Sequence, residues 1–257
     1  MPITVKSSSE IKILREGGKR LAAIRNELAR FVAVGLSSQD VENRARGLFA
    51  ESGGEPSFFN YKSKKSEKPF PAYTCISAND AIVHGLPSTE IVFKEGDVVG
   101  IDVGLKYRGL FTDTAVTVPI GAVTKEARTL LDITKKSLDV GIAAVRAGAT
   151  VGDVGYAIEQ YVKAEGAFGI VRTLAGHGVG YAVHEEPHIP NFGKRGEGAV
   201  LKVGMVIAIE PMLTLGSEKL VLDPDGFTFR TADGSLSAHC EHTITVTETG
   251  SEILTQL

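Results

Sequence analysis

Features that would place a chain in a class at a glance are missing from this one. No apolar run approaches the roughly 18 residues that a bilayer-spanning helix needs, so a helical membrane protein is excluded. The opening MPITVKSSSE lacks the charged-then-apolar pattern of a secretory leader, and a cytoplasmic location is expected. Only two cysteines occur, Cys75 and Cys240, too few for a disulfide framework and without zinc-ribbon spacing. Two buried thiols are the expectation. A formal net charge of −3 argues against general affinity for nucleic acid or anionic membranes. What remains is a chain of 257 residues, 43% of them hydrophobic, enough for a full core in one domain over 1–257 or in two fused halves.

What is there is a set of acids in unusual places. Asp102, Glu210 and Glu241 interrupt strand-like apolar runs (VVGIDV, MVIAIEPML, HCEHTITV), where solvated surface acids are not expected. Asp113 follows Asp102 by eleven residues in VVGIDVGLKYRGLFTDTAV. The β-rich runs Val98 to Leu105 and Leu110 to Val118 predict a hairpin centred on Tyr107 and Arg108, which would set residue 102 directly across from residue 113. Both carboxylates then share a face, and two such groups in a partly dry site must take up a proton or hold a cation. Four carboxylates match the charge of two divalent ions, and the imidazole of His177 adds a neutral ligand that Mn, Fe, Co and Zn accept. Asp102, Asp113, His177, Glu210 and Glu241 together read as a dinuclear metal site.

An internal repeat at an offset of 113 organises the chain. GLSSQDVENRARGLFAESG (35–53) parallels GATVGDVGYAIEQYVKAEG (148–166), each a capped amphipathic helix ended by glycine. Each is preceded by a longer helical pattern: Ile11, Leu14, Leu21, Leu28, Phe31 and Val32 behind a Ser7-to-Glu10 capping box, then Ala127, Leu130, Leu131, Leu138, Ile142 and Val145 after Thr124. Each is followed by strands. The expectation is an α+β pair of pseudo-twofold halves, about 1–120 and 121–257, with the site on their seam.

Three histidine contexts complete the inventory. Gly176 to Gly180 reads as a glycine-rich turn presenting His177 without steric cover. His84, before Gly-Leu-Pro, ends an apolar run, and His184 follows His177 closely enough to serve the same site. His184-Glu185-Glu186-Pro187-His188 matches the H-E-x-x-H pattern of helical zinc proteases. That chemistry needs both histidines on one helix face, and Pro187 with its non-helical flanks argues against it.

CISANDAIVHGLP, GIDVGLKYRGLFTDTAV, GHGVGYAVHEEP, IEPML and SAHCEHTITVT resemble, in order and spacing, the successive motifs of type I methionine aminopeptidases, over nearly the whole chain. The resemblance is to the short form, without a zinc-finger extension, and it implies the pita-bread fold. It further implies that Asp102 binds one metal through both oxygens, that Asp113 and Glu241 bridge two, and that His177 and Glu210 complete the second site. A hydroxide bridging the ions would attack the scissile carbonyl, with Glu210 as proton shuttle. By the same resemblance His84 contacts the scissile amide nitrogen, and His184 donates to the carbonyl oxygen, a contribution of roughly 3 kcal/mol. Phe58, Tyr61, Phe70, Cys75 and Phe227 would line a pocket for the methionine side chain. Phe227 stands where many relatives have tryptophan, a residue this chain lacks altogether.

The implied substrates are the N-termini of nascent polypeptides bearing an initiator methionine before a small second residue, and a monomer is expected. Lys62, Lys64, Lys65 and Lys68 make a basic loop that is either simply solvated or a contact for ribosomal RNA near the peptide exit. Two other classes share the fold. A prolidase or Xaa-Pro aminopeptidase would carry the same five ligands behind a large N-terminal domain, and a metal-free binding module would have lost ligands that are all present here.

Overall fold

The computed structural model describes residues 2–62 and 68–257, so Lys64 and Lys65 of the basic loop lie outside the described residues. In chain order the elements are α1 (Ser8–Phe31), α2 (Ser38–Ser52), β1 (Glu55–Pro56), β2 (Thr74–Ala78), β3 (Ala81–Val83), β4 (Val98–Tyr107), β5 (Leu110–Pro119), α3 (Lys125–Ala144) and α4 (Val151–Glu165). There follow β6 (Gly169–Ile170), β7 (Gly176–Gly178), β8 (Glu185–Ile189), β9 (Val206–Ile209), β10 (Met212–Thr214), β11 (Leu220–Leu222), β12 (Phe229–Thr231), β13 (Ser237–His239), β14 (His242–Val246) and β15 (Ser251–Ile253). Two helices and then strands thus occur twice.

The helices start where hydroxyl side chains stop the first turn from fraying. Ser7, Ser37 and Thr150 each accept from the N–H three residues on, and Glu10, Asp40 and Asp153 return a bond to the cap's own N–H. Thr124 caps α3 in the same way without the reciprocal bond. Losing such a cap costs about 1 kcal/mol. Gly53 ends α2 with φ of 71°, a left-handed conformation a Cβ would oppose. Apolar stripes then decide what each helix covers. Leu21, Ile24 and Leu28 of α1 pack with Val41 and Phe49 of α2 over Ile76, Val99, Ile101 and Val103 of the first sheet. Leu130, Leu138 and Ile142 of α3 pack with Val154 and Ile158 of α4 over Ile207, Ile209 and Ile244 of the second.

In the first sheet β4 pairs antiparallel with β5 along its whole length, and with β2 and the short β1 along different stretches. The second sheet has the order β15-β14-β9-β7-β8. The two are stitched along β5: Ala115 and Glu241 exchange backbone hydrogen bonds of 2.9 and 3.4 Å. Threonine hydroxyls extend this seam in both directions, Thr243 bonding the N–H and carbonyl of Asp113, and Thr117 those of His239.

The β4–β5 hairpin differs from the expected one by its turn. Tyr107 pairs with Leu110, so the two turn residues are Arg108 and Gly109, both with positive φ (48° and 83°). Such a two-residue turn matches the natural twist of the flanking strands, and glycine at its second position was its signal. Asp102 therefore lies across from Ala115, and Asp113 across from Gly104. The expected direct opposition of Asp102 and Asp113 is replaced by a diagonal one, which still leaves both carboxylates on one face because side chains alternate with period two.

Candidate metal centre

The strand register builds the site. Cys75, Asp102 and Ala115 stand in one cross-strand row, and the bonds between Ala115 and Glu241 carry that row into the second sheet. Residues in one row point to one face, so Asp102 and Glu241 flank Ala115, whose methyl group leaves the space between them open. Asp113, two residues along β5, shares the face. On the other strand pair, Ile209 opposes His242 and Met212 opposes His239, a single register that puts Glu210 and Glu241 opposite one another in the gap between the paired stretches.

His177 arrives by a different route. Gly176 to Gly178 is the strand β7, not the expected turn, and only Gly180 of that run has a left-handed backbone (φ 139°). The glycines beside His177 are needed for close approach: a Cβ at Gly176 would strike the Ala208 carbonyl, and one at Gly178 the Glu186 carbonyl. The His177 Nδ1–H donates to the Gly178 carbonyl at 2.9 Å, which leaves Nε2 as the lone-pair nitrogen, 3.5 Å from Glu210 Oε1. Burial holds this imidazole neutral, its pKa pushed down to about 4.

Electrostatically the acids are at odds with their surroundings. Burial raises the Asp102 carboxyl to about 7, and burial with mutual repulsion raises Asp113, Glu210 and Glu241 well above the ordinary range. Asp102 and Asp113 lie close enough to share a hydrogen bond. Asp102 Oδ1, Asp113 Oδ1 and Glu241 Oε1 are buried without a protein hydrogen-bond partner, and one donor atom each from Asp113, His177 and Glu241 falls within 4.8 Å of the others. Partnerless buried carboxylate oxygens beside a neutral imidazole nitrogen are what divalent cations would satisfy. The residues fit such ions.

Around this cluster stand further side chains. His84 follows β3 with φ of 58°, an uncommon backbone for a residue with a Cβ, and its ring meets Phe229 edge-on at 5.8 Å. Burial holds it neutral, its pKa lowered to about 4. His184, at the exposed rim, has its ring 4.3 Å from that of His177 and its Nδ1 2.7 Å from the Tyr61 hydroxyl. Phe58, Phe70 and Cys75 are buried with Ala72 and Val183, and Tyr61, Leu86, Phe111 and Phe227 pack against them. Phe70 bridges the group, edge-on to Phe58 at 6.5 Å and to Phe227 at 5.4 Å. The H-E-x-x-H run is the strand β8 preceded by His184, with His188 exposed, so no helix face brings the two histidines together.

Two neighbours escaped the sequence reading. His239, 4% exposed, has no hydrogen bond to Nε2, which lies 3.6 Å from Glu210 Oε2. Its signal was present: 239, 241 and 243 alternate along one strand direction and share a face. Arg25 on α1 is buried and donates to Thr114 Oγ1 at 2.6 Å, which in turn donates to the Glu241 carbonyl at 2.8 Å. Nothing in the helical pattern separated Arg25 from the surface arginines around it.

The sequence model of metallopeptidase family M24 matches residues 12–248. A methionine aminopeptidase of Aquifex aeolicus is 44% identical over the full length of both chains. One from Bacillus subtilis is 38% identical over 99% of this chain and all of its own. The crystal structure of the Thermotoga maritima methionine aminopeptidase superposes with a TM-score of 0.94 at 40% identity, covering 99% of this chain and 100% of that one. The prolidase from Pyrococcus furiosus superposes at 0.74 with 23% identity, this chain covering 65% of it, a likeness of fold alone. The fold is the α+β pita-bread fold that these neighbours share.

Proposed function

This chain belongs to metallopeptidase family M24, and we propose that it removes methionine from peptide N-termini by metal-dependent hydrolysis. The observation that carries the reading is the juxtaposition of partnerless buried carboxylates with a partly aromatic apolar cluster, Cys75 of that cluster standing in register beside Asp102. Asp102, Asp113, His177, Glu210 and Glu241 would hold two divalent ions, their four carboxylates balancing the charge of two such cations; Co, Mn, Fe and Zn all suit the donor set. When bound, the ions supply Lewis acidity, making a hydrolytic water acidic and polarising the scissile carbonyl.

The chain's own groups do the rest. Glu210, a largely covered carboxylate 3.5 Å from the His177 imidazole, takes a proton and returns it to the departing amine. His184 meets the Tyr61 hydroxyl through Nδ1 at 2.7 Å; in the tautomer that accepts from that hydroxyl its proton is on Nε2, where it would donate to the carbonyl oxygen as negative charge develops. His84, held neutral by burial, contacts the scissile amide nitrogen. Phe58, Tyr61, Phe70, Cys75 and Phe227 take the methionine side chain, the soft thioether suiting an aromatic wall. The second residue of the substrate is then pressed between His84 and His184, so small side chains (Gly, Ala, Ser, Thr, Cys, Val, Pro) are accepted and Lys, Glu, Leu and Phe refused. A displacement of about 1 Å at the carbonyl can cost about 100-fold in rate.

Nascent chains with an initiator methionine are the proposed substrates, the cytoplasm the proposed setting and a monomer the proposed state. The described ends of the basic loop, Lys62 and Lys68, are exposed beside the pocket residues Tyr61 and Phe70, where they would meet ribosomal RNA. Among the described residues no helix is long and apolar enough to cross a membrane. Mass spectrometry of a Met-X-Ser-Lys panel, with Ala-Pro as the prolidase control, tests the proposal. Cleavage confined to small X is expected; efficient cleavage at X = Leu or Phe, release of a first residue other than methionine, or hydrolysis of Ala-Pro instead would overturn it.

A further inference from the structure

The H-E-x-x-H run holds two acids outside the metal cluster, an exposed Glu186 and a buried Glu185. Glu185 follows His184 directly, yet its side chain is fully covered, paired at 2.8 Å with an equally covered Lys6 Nζ. The two oxygens of Glu185 have different tasks. Oε2 meets Lys6 and the Thr4 hydroxyl, while Oε1 accepts from the backbone N–H groups of Tyr181 and Ala182. Lys6 is itself anchored, its N–H donating to the Gly204 carbonyl at 2.8 Å. Its side chain passes so close under Gly180 that a Cβ there would occupy the space of Lys6 Cε. The Gly180 carbonyl accepts from Phe111 N–H of β5 at 2.8 Å. The loop 180–184, which ends on His184, is therefore folded around a buried ion pair formed with the segment before α1.

We propose that Lys6 and Glu185 are positioning residues for His184: the charged pair fixes the loop and so sets where the imidazole meets the substrate carbonyl. The inference rests on the aminopeptidase reading for the role of His184. An exposed histidine on a short loop has several rotamers and backbone states open to it. A carboxylate that grips two successive amides removes most of them. It can stay ionised in a dry setting only while a cation is at hand. Lys6 supplies that cation from the other end of the sequence. Without it Glu185 either takes up a proton or turns to water, and in both cases the grip on Tyr181 and Ala182 is lost.

The test is a double-mutant cycle on the metal-loaded enzyme with Met-Ala-Ser as substrate, reading kcat, KM, metal content and amide exchange. Lys6→Met is expected to lower kcat about 10- to 100-fold, leaving KM nearly unchanged and two metals per chain. In a His184→Ala background the same substitution is expected to change kcat by less than about 2-fold, because the group it positions is gone. Lys6→Met/Glu185→Gln removes the unpaired charge and keeps an oxygen for the two amides, so it should recover most of the lost kcat; it also serves if Lys6→Met alone fails to fold. Equal losses in both backgrounds would make the pair merely structural and overturn the proposal. If His184→Ala alone left kcat intact, the aminopeptidase role of His184 would fail separately. Hydrogen exchange at Tyr181 and Ala182 needs no substrate: it should speed up at least about 10-fold in Lys6→Met, and unchanged exchange would refute the loop's dependence on the pair even if the enzyme's substrate were different.

Discussion

Chelating the metals should leave a protein whose stability falls as pH rises above neutrality. In the metal-free fold Asp102 keeps its proton up to about pH 7, and Asp113, Glu210 and Glu241 are also raised, by burial and mutual repulsion. The unfolded chain releases these protons near pH 4. Between those limits the folded state binds more protons than the unfolded one, so each carboxyl that keeps its proton lowers stability by about 1.4 kcal/mol per pH unit. The buried histidines pull the other way at lower pH. His84 and His177 titrate at about 4 and His239 at about 3 in the fold, so below their unfolded value of roughly 6.5 the unfolded chain gains protons they refuse, and stability falls as pH falls.

Above about pH 7.5 the histidines are almost wholly neutral in both states and the carboxylates dominate. Each carboxyl still protonated in that range lowers stability by about 1.4 kcal/mol per pH unit, or roughly 3–6 °C in Tm for a chain of this size. Divalent ions hold the carboxylates ionised in the fold and displace their protons, so stabilisation by metal should grow over the same interval. Urea or thermal unfolding followed by circular dichroism at pH 7.5, 8.25 and 9, with EDTA and with Mn, would measure both slopes. A chelated protein whose midpoint is flat or rising across that interval, or a metal shift that does not grow with pH, would refute a buried anionic cluster as the metal site.

Glu241→Gln or Asp102→Asn should lower metal occupancy and activity together, as metal analysis on the purified variants would show; full metal content with near-normal turnover would contradict the ligand set. His84→Ala and His184→Ala should leave calorimetric metal binding nearly intact while lowering kcat, because the lost interactions are made mostly in the transition state; a missing metal equivalent in either would mark that histidine as a ligand. His239→Leu should cost about 10-fold or more in activity or metal affinity through Glu210, while His239→Gln, which keeps an N–H near Glu210 Oε2, should retain most of both. Equal behaviour of the Leu and Gln variants would remove His239 from the site.

Much of this molecule is decided locally, and for that reason it is legible in the chain. Ser7 with Glu10, Ser37 with Asp40 and Thr150 with Asp153 carry their own hydrogen-bonding partners within four residues, so the helix starts need no tertiary contact. Acids inside apolar strand runs marked Asp102, Glu210 and Glu241, because burying a charge is too costly to occur without a partner. The motif resemblance added His84, His184 and the pocket aromatics, which strand patterning alone would have left among ordinary core and loop residues.

Tertiary structure decided the rest. The hairpin register turned on a two-residue turn at Arg108-Gly109, where a shift of one position changes which residues oppose each other. The glycines around His177 serve approach by β8 and β9, strands that come later in the chain. His239, Arg25 and the Lys6–Glu185 pair act on groups tens to hundreds of residues away. Local sequence specifies backbone geometry and the side on which a residue points; which charge meets which depends on strand order and sheet seam, properties of the whole packed chain that no local pattern contains.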